Sequence, residues 1–121
     1  MIDPASKNQY IQRVTNAAQH FDNTNRNTVY TAPTGGDFDF AIVESFLASN
    51  NHTADSKLTV EVLDGSTYFS VFHDTEIKKD QNYELLSRDM VLTAGQSIVC
   101  TAQDANRVHV FLSIVEYAKG D

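Results

Sequence analysis

The sequence predicts an all-β domain, an antiparallel β-sandwich of jelly-roll-like form with an N-terminal arm, and three observations carry that reading. Apolar and polar residues swap at every second position from Thr28 to Tyr117, as they do in strands with one wet face. Turn signals cut the alternation into short runs, among them Gly35-Gly36, Asp64-Gly65 and Ala94-Gly95. The number of runs, about seven or eight, suits two stacked sheets. Strand order is not written in periodicity, so a jelly roll and another Greek-key sandwich are equivalent at this level.

The elements follow in order. Residues 1–27 are rich in Asn, Gln, Thr and Ala, and Asp22-Asn23-Thr24-Asn25-Arg26-Asn27 is almost wholly polar. Two patterns coexist in residues 4–21. Tyr10, Val14, Ala17 or Ala18 and Phe21 recur at helical spacing behind Asp3-Pro4, whereas Tyr10-Ile11-Gln12-Arg13-Val14-Thr15 reads as a strand or extended arm. The balance tips slightly to the arm, which at full stretch reaches about 90 Å over its 27 residues. The division is therefore an arm over 1–27 and a sandwich over 28–121.

Thr28 to Ala32 is the first strand of the body, ended by Pro33. Phe38 to Ala48 is a long strand with Phe38, Phe40, Ile42 and Phe46 on one face; Glu44 interrupts that face and marks a bulge or twist. Lys57 to Leu63 carries Leu58, Val60 and Val62 inward. Asp64-Gly65 is the strongest hairpin signal in the chain and leads into Ser66 to Phe72. Glu76 to Gln81 is a charged turn. Asn82 to Ser87 and Met90 to Leu92 follow, broken near Arg88-Asp89. Ser97 to Gln103 places Ile98, Cys100 and Ala102 inward. Arg107 to Tyr117 is apolar on both faces: Val108, Val110, Leu112 and Ile114 on one, Phe111, Val115 and Tyr117 on the other. Such a strand is central in its sheet, or buries its outer face against a partner.

Composition narrows the function classes. A chain of 121 residues is one domain that buries roughly two-thirds of its unfolded surface without metals or staples. Sixteen acids against nine bases give a net charge of −7, which repels nucleic acid and anionic membranes. The lone cysteine, Cys100, sits among apolar neighbours as a small hydrophobe and has no partner for an internal disulfide. No signal peptide or transmembrane stretch is expected. Asn51-His52-Thr53 matches a glycosylation acceptor, a coincidence in a polar loop without secretion.

Each candidate for chemistry has a plainer explanation. His20, His52, His73 and His109 stand in no HxH or HExxH pattern, so no metal is assigned. His109 lies on the less apolar face of the last strand, where a hydrogen-bonded structural histidine is expected. Asp37 and Asp39 are two carboxylates at a strand end, short of the oxygens that calcium requires. Asp74, Glu76 and Asp80 sit among Lys78 and Lys79, and a glycosidase pair cannot be read from their spacing. There is no nucleophile elbow, phosphate loop or dinucleotide fingerprint. The chain is not read as an enzyme, and no cofactor is assigned. Tryptophan is absent, which weakens a carbohydrate-binding reading; the five tyrosines are explained by strand-edge packing.

The turn and core motifs resemble the small β-sandwich virion proteins of tailed bacteriophages. Thr28-Val29-Tyr30-Thr31-Ala32-Pro33 matches their "TxYTxP" opening. Tyr83-Glu84-Leu85-Leu86 and Leu92-Thr93-Ala94-Gly95-Gln96 match their "LELL…LxAGD" run. The resemblance spans residues 28–118. It departs at the glycine after the opening proline, delayed here to Gly35-Gly36, and at Gln96, where the family has an acid. The resemblance implies a structural component of a virion assembled in a bacterial host. It would be a capsid decoration (cement) protein on the major capsid protein or, alternatively, a neck, tail or fibre component, and the resemblance implies a homotrimer. A carbohydrate- or receptor-binding module is the rival of another class. In the decoration reading Tyr10, Ile11, Val14 and Phe21 anchor the arm on neighbours, and Phe111, Val115 and Tyr117 give the body an interface.

Overall fold

The computed structural model describes residues 10–34 and 40–119. In chain order the strands are β1 (Tyr10–His20), β2 (Asn27–Thr31), β3 (Phe40–Asn50), β4 (Ser56–Asp64), β5 (Thr67–Ile77), β6 (Gln81–Glu84), β7 (Met90–Thr93), β8 (Ser97–Ala102) and β9 (Val108–Lys119), with no helix among the described residues. One sheet runs β1-β9-β3, with β6 and β7 sharing the far side of β3; the other runs β2-β8-β4-β5. Every pairing is antiparallel. Successive strands cross between the sheets except at the β4–β5 hairpin and the β6–β7 pair. This is the two-sheet winding of a jelly roll.

The core lies between the sheets. Val43, Phe46, Leu112 and Ile114 from one meet Leu58, Val60, Ile98 and Cys100 from the other, all fully buried. The last strand is central, flanked by β1 and β3, which accounts for its apolar character on both faces. Turns fall where glycine and asparagine permit left-handed backbone. Gly65 (φ 64°) closes the β4–β5 hairpin, and Asn106 (φ 65°) precedes β9.

Two expectations need correction. The segment 10–20 is extended, but it is not an arm. It pairs with β9 along its whole length, from Tyr10 opposite Lys119 to His20 opposite His109. Without β1, the apolar central strand would leave a row of backbone groups unpaired beside the core. Phe21 then turns into the core, fully buried; its amide donates to the Val108 carbonyl (3.1 Å) and its carbonyl accepts from the Asn106 amide (2.7 Å). The sandwich therefore begins at least as early as Tyr10, and no boundary falls at residue 27. The second correction concerns β3. A bulge between Val43 and Ser45 leaves Glu44 unmatched, as the sequence suggested. Before it Ala41 and Val43 point inward; after it Phe46 and Ala48 do. Phe40 and Ile42 therefore face outward, opposite to the expected phase. Asp3, Pro4, Asp37 and Asp39 lie outside the described residues.

Three polar fixtures hold the frame. Glu116, buried on β9, accepts from Arg13 Nε on β1 (2.7 Å) and from the Tyr30 hydroxyl on β2, tying the two sheets together. Burial, and then the Glu116 hydrogen bond, raise the Tyr30 pKa. Asn50, also buried, donates to the carbonyls of Ala54 and Ile77 (2.9 Å each) and accepts from the His52 amide. Glu84 spans the gap where the partner of β3 changes from β6 to β7. Its carboxylate accepts from the Ser45 hydroxyl and from the amides of Phe46 (2.7 Å) and Leu86, while the Leu85 amide donates to the Phe46 carbonyl (2.9 Å). Among the described residues no buried side-chain nitrogen or oxygen lacks a partner.

Candidate functional site

The outward face of the five-stranded sheet exposes apolar residues that the fold does not explain, as does β5 of the other sheet at Phe69 and Val71. Residues directly opposite across neighbouring strands share a face, so the registers define rows across it. One row is Val14–Val115–Ile42–Val91, four β-branched side chains on four strands. Above it Tyr117 stacks on Phe40, ring centroids 4.9 Å apart and planes within 9°. Below it, past the small polar row Asn16–Ser113–Ser45, lies Ala18–Phe111–Leu47. Val14 is 81% exposed, Val91 57% and Phe111 45%. Scattered apolar residues on a surface are ordinary; here they line up across four strands.

Four of the seven proposed interface residues meet here: Val14, Phe111, Val115 and Tyr117. Val115 is nearly covered by its neighbours. Phe21 is a correction, since it is a core residue and cannot touch a partner. The side chains of Tyr10 and Ile11 lie outside the described residues. Sequence reading missed Phe40, Ile42, Leu47 and Val91 as members of this face. Their signal was the bulge at Glu44, which decides which half of β3 points out, together with the pairing of Ile42 with Val91, which no local pattern encodes.

At one end of the face the last row is His20–His109–Ser49–Asn82. The two imidazoles lie with centroids 4.5 Å apart, tilted by 39°. His20 Nε2 is 3.1 Å from Asn106 Oδ1. Burial, then the neighbouring His20, hold the His109 pKa below its ordinary range. A groove of about 500 Å³ opens beside the pair, walled by Ala18, Leu47, Phe111 and Asn82.

The other candidates for chemistry are engaged locally. Thr59 Oγ1 accepts from the Asp74 amide (3.0 Å), Lys78 pairs with Glu76 (3.7 Å), and Asp80 occupies a left-handed turn position. His73 lies 3.5 Å from Asp74. Among the described residues no three His, Cys, Asp or Glu side chains converge. Cys100 is fully buried, and burial, with a smaller contribution from Glu61, pushes its thiol up to about 12; it is not a nucleophile. The described tyrosines do not gather on one surface. Tyr30 points between the sheets, Tyr83 packs on the core, Tyr117 lies on the face above, and Tyr68 lies under the Arg26 guanidinium at 3.7 Å.

No helix among the described residues is long and apolar enough to cross a membrane. The sequence matches no protein-family profile and no curated protein. Among solved structures, a chain of the disulfide-linked pili that form Bacillus endospore appendages is similar. The alignment covers 99% of each chain at 8% identity, with a TM-score of 0.58. At that identity the likeness is one of fold, and it agrees with the two-sheet sandwich built above.

Proposed function

We propose that this chain is a non-enzymatic structural subunit of a large protein assembly, and specifically a decoration protein on the capsid shell of a tailed bacteriophage. The observation that carries the proposal is the outward face of the five-stranded sheet. The row Val14–Val115–Ile42–Val91 and, across a row of small polar residues, the Phe111–Leu47 pair are apolar, and Val14, Val91, Phe111 and Leu47 are exposed. The major capsid protein is the partner proposed for that face. The motif resemblance over residues 28–118 supports the virion setting, assembled in the bacterial host. A net charge of −7 keeps such a subunit off packaged DNA. Many weak, identical contacts on a shell add up to firm attachment, and a trimer would suit the local symmetry.

The test is copy number in purified particles, read by quantitative mass spectrometry, together with binding of the V14D/V91D variant. Hundreds of copies place the protein on the shell and roughly three to a dozen place it in the neck or tail, by symmetry. Absence from particles, or shell binding by the variant equal to that of the natural chain, overturns the proposal.

A filament subunit is the second reading, favoured by the pilus chain that shares the fold. Disulfide linkage is not open to this chain through Cys100, which is buried in the core. Filaments of the purified protein in electron micrographs would favour this reading. A carbohydrate-binding module loses ground because the described tyrosines point to different surfaces.

A further inference from the structure

We propose that His20 and His109 form a two-imidazole chelate for a late divalent transition ion of the copper(II) or nickel(II) class. The two residues are distant in sequence, but the β1–β9 register sets them directly opposite on the outward face. A bound imidazole nitrogen at ~2.0–2.1 Å puts the ring centroid ~3.2 Å from the metal, so two nitrogens at a right angle about the metal put the centroids ~4.5 Å apart and two at the tetrahedral angle ~5.2 Å. The centroids here are 4.5 Å apart. That spacing fits adjacent positions of a tetragonal ion, and imidazole suits copper(II) and nickel(II).

The surroundings favour the ligating form of His20. Asn106 Oδ1 accepts a hydrogen bond from His20 Nε2, which fixes the proton there and leaves Nδ1 with its lone pair. Metal-binding histidines use this kind of outer hydrogen bond. Asn106 is itself fixed in the β8–β9 turn, where its amide donates to the Phe21 carbonyl. His109 stands beside His20, on β9, its ring 4.5 Å away between centroids. Ser49 and Asn82 continue the same row on β3 and β6, and can hydrogen-bond waters in the remaining positions of the ion.

The probe is copper(II) in water, added to the full chain and followed by electron paramagnetic resonance and by histidine-ring NMR. One equivalent should bind with two equatorial nitrogens, and substoichiometric metal should broaden the ring signals of His20 and His109 before those of His52 and His73. H20Q and H109Q should each weaken binding about ten-fold or more by removing the chelate. N106A should weaken it by about ten-fold through the loss of tautomer control. H52Q and H73Q should bind like the natural chain. The proposal is overturned by equal broadening of all four rings in the natural chain, a readout that needs no variant, or by unchanged affinity in a folded H20Q/H109Q chain.

Discussion

Asn50 shows how one polar side chain can shape a jelly roll from inside. Its amide group bonds two carbonyls and one amide across the β3–β4 loop and the end of β5. N50A would leave those buried groups without partners, a cost of about 2–4 kcal/mol, measurable by urea denaturation. Cys100 is a different case, a thiol whose chemistry is suppressed by its place in the core. Its pKa is pushed up to about 12 from an ordinary 9.0. A raised value in the folded chain means that this contribution to stability is full below pH 9 and erodes as pH rises from there toward 12. Iodoacetamide at pH 8 should therefore label Cys100 only as fast as the chain opens, and C100A should flatten the alkaline loss of stability. Fast labelling of the folded chain would contradict this burial.

Glu84 belongs to the scale of elements, because it completes a strand edge. Between β7 and β6 the edge of β3 that faces away from β9 has no strand partner, and the carboxylate takes the place of a ladder there. Burial alone would raise its pKa, but the Ser45 hydroxyl and the amides of Phe46 and Leu86 outweigh that and hold it below its ordinary 4.5. The stability it adds is present above pH 4.5 and is lost as pH falls through the lower folded value. E84Q should remove that acid-side loss, leaving a chain less stable at pH 7 and flatter below pH 4.5 in thermal melts. The first strand makes a larger claim. Deleting residues 1–21 removes the β1 ladder along β9 and the Phe21 core side chain; worth about 3–5 kcal/mol, Phe21 alone is a large fraction of a domain's stability. That truncation should lose its cooperative melt, whereas a free arm could be removed without effect. β3, β4, β8 and β9 were legible in sequence because their inward positions are strongly apolar; the end of β5 was not, since Glu76 and the buried Ile77 were read as part of a charged turn and belong to the strand. Nor was β1: its inward residues Arg13, Thr15, Ala17 and Gln19 are small or polar, and Val14 points out. The bulge hid the true phase of β3, and the His20–His109 pairing exists only once the β1–β9 register is known.

For the whole molecule, the outward apolar face should be neutral to folding and decisive for association. V14D/V91D places charge where no core packing is lost, so its melting temperature should stay close to that of the natural chain, within about 0.5 kcal/mol of stability, while self-association and particle binding fall together. A large drop in stability would mean that the face supports the fold rather than contact. The candidate site was half legible in sequence, since Phe111, Val115 and Tyr117 stood out on a doubly apolar strand. The rest of it belongs to β3 and β7 and needed the three-dimensional register. The central place of β9 also has a kinetic meaning. The strand that divides β1 from β3 is the last in the sequence, so nascent chains that stop short of Val108 carry two long strands with nothing between them. Such intermediates are open to pairing with one another. A chain whose key partnerships join Val14 to Val115 must close its largest loop before its sheet gains stability, and it should fold on the slow side, over milliseconds to seconds. Timing of synthesis, and protection of those waiting strands by chaperones, would then govern how much usable subunit a cell can make.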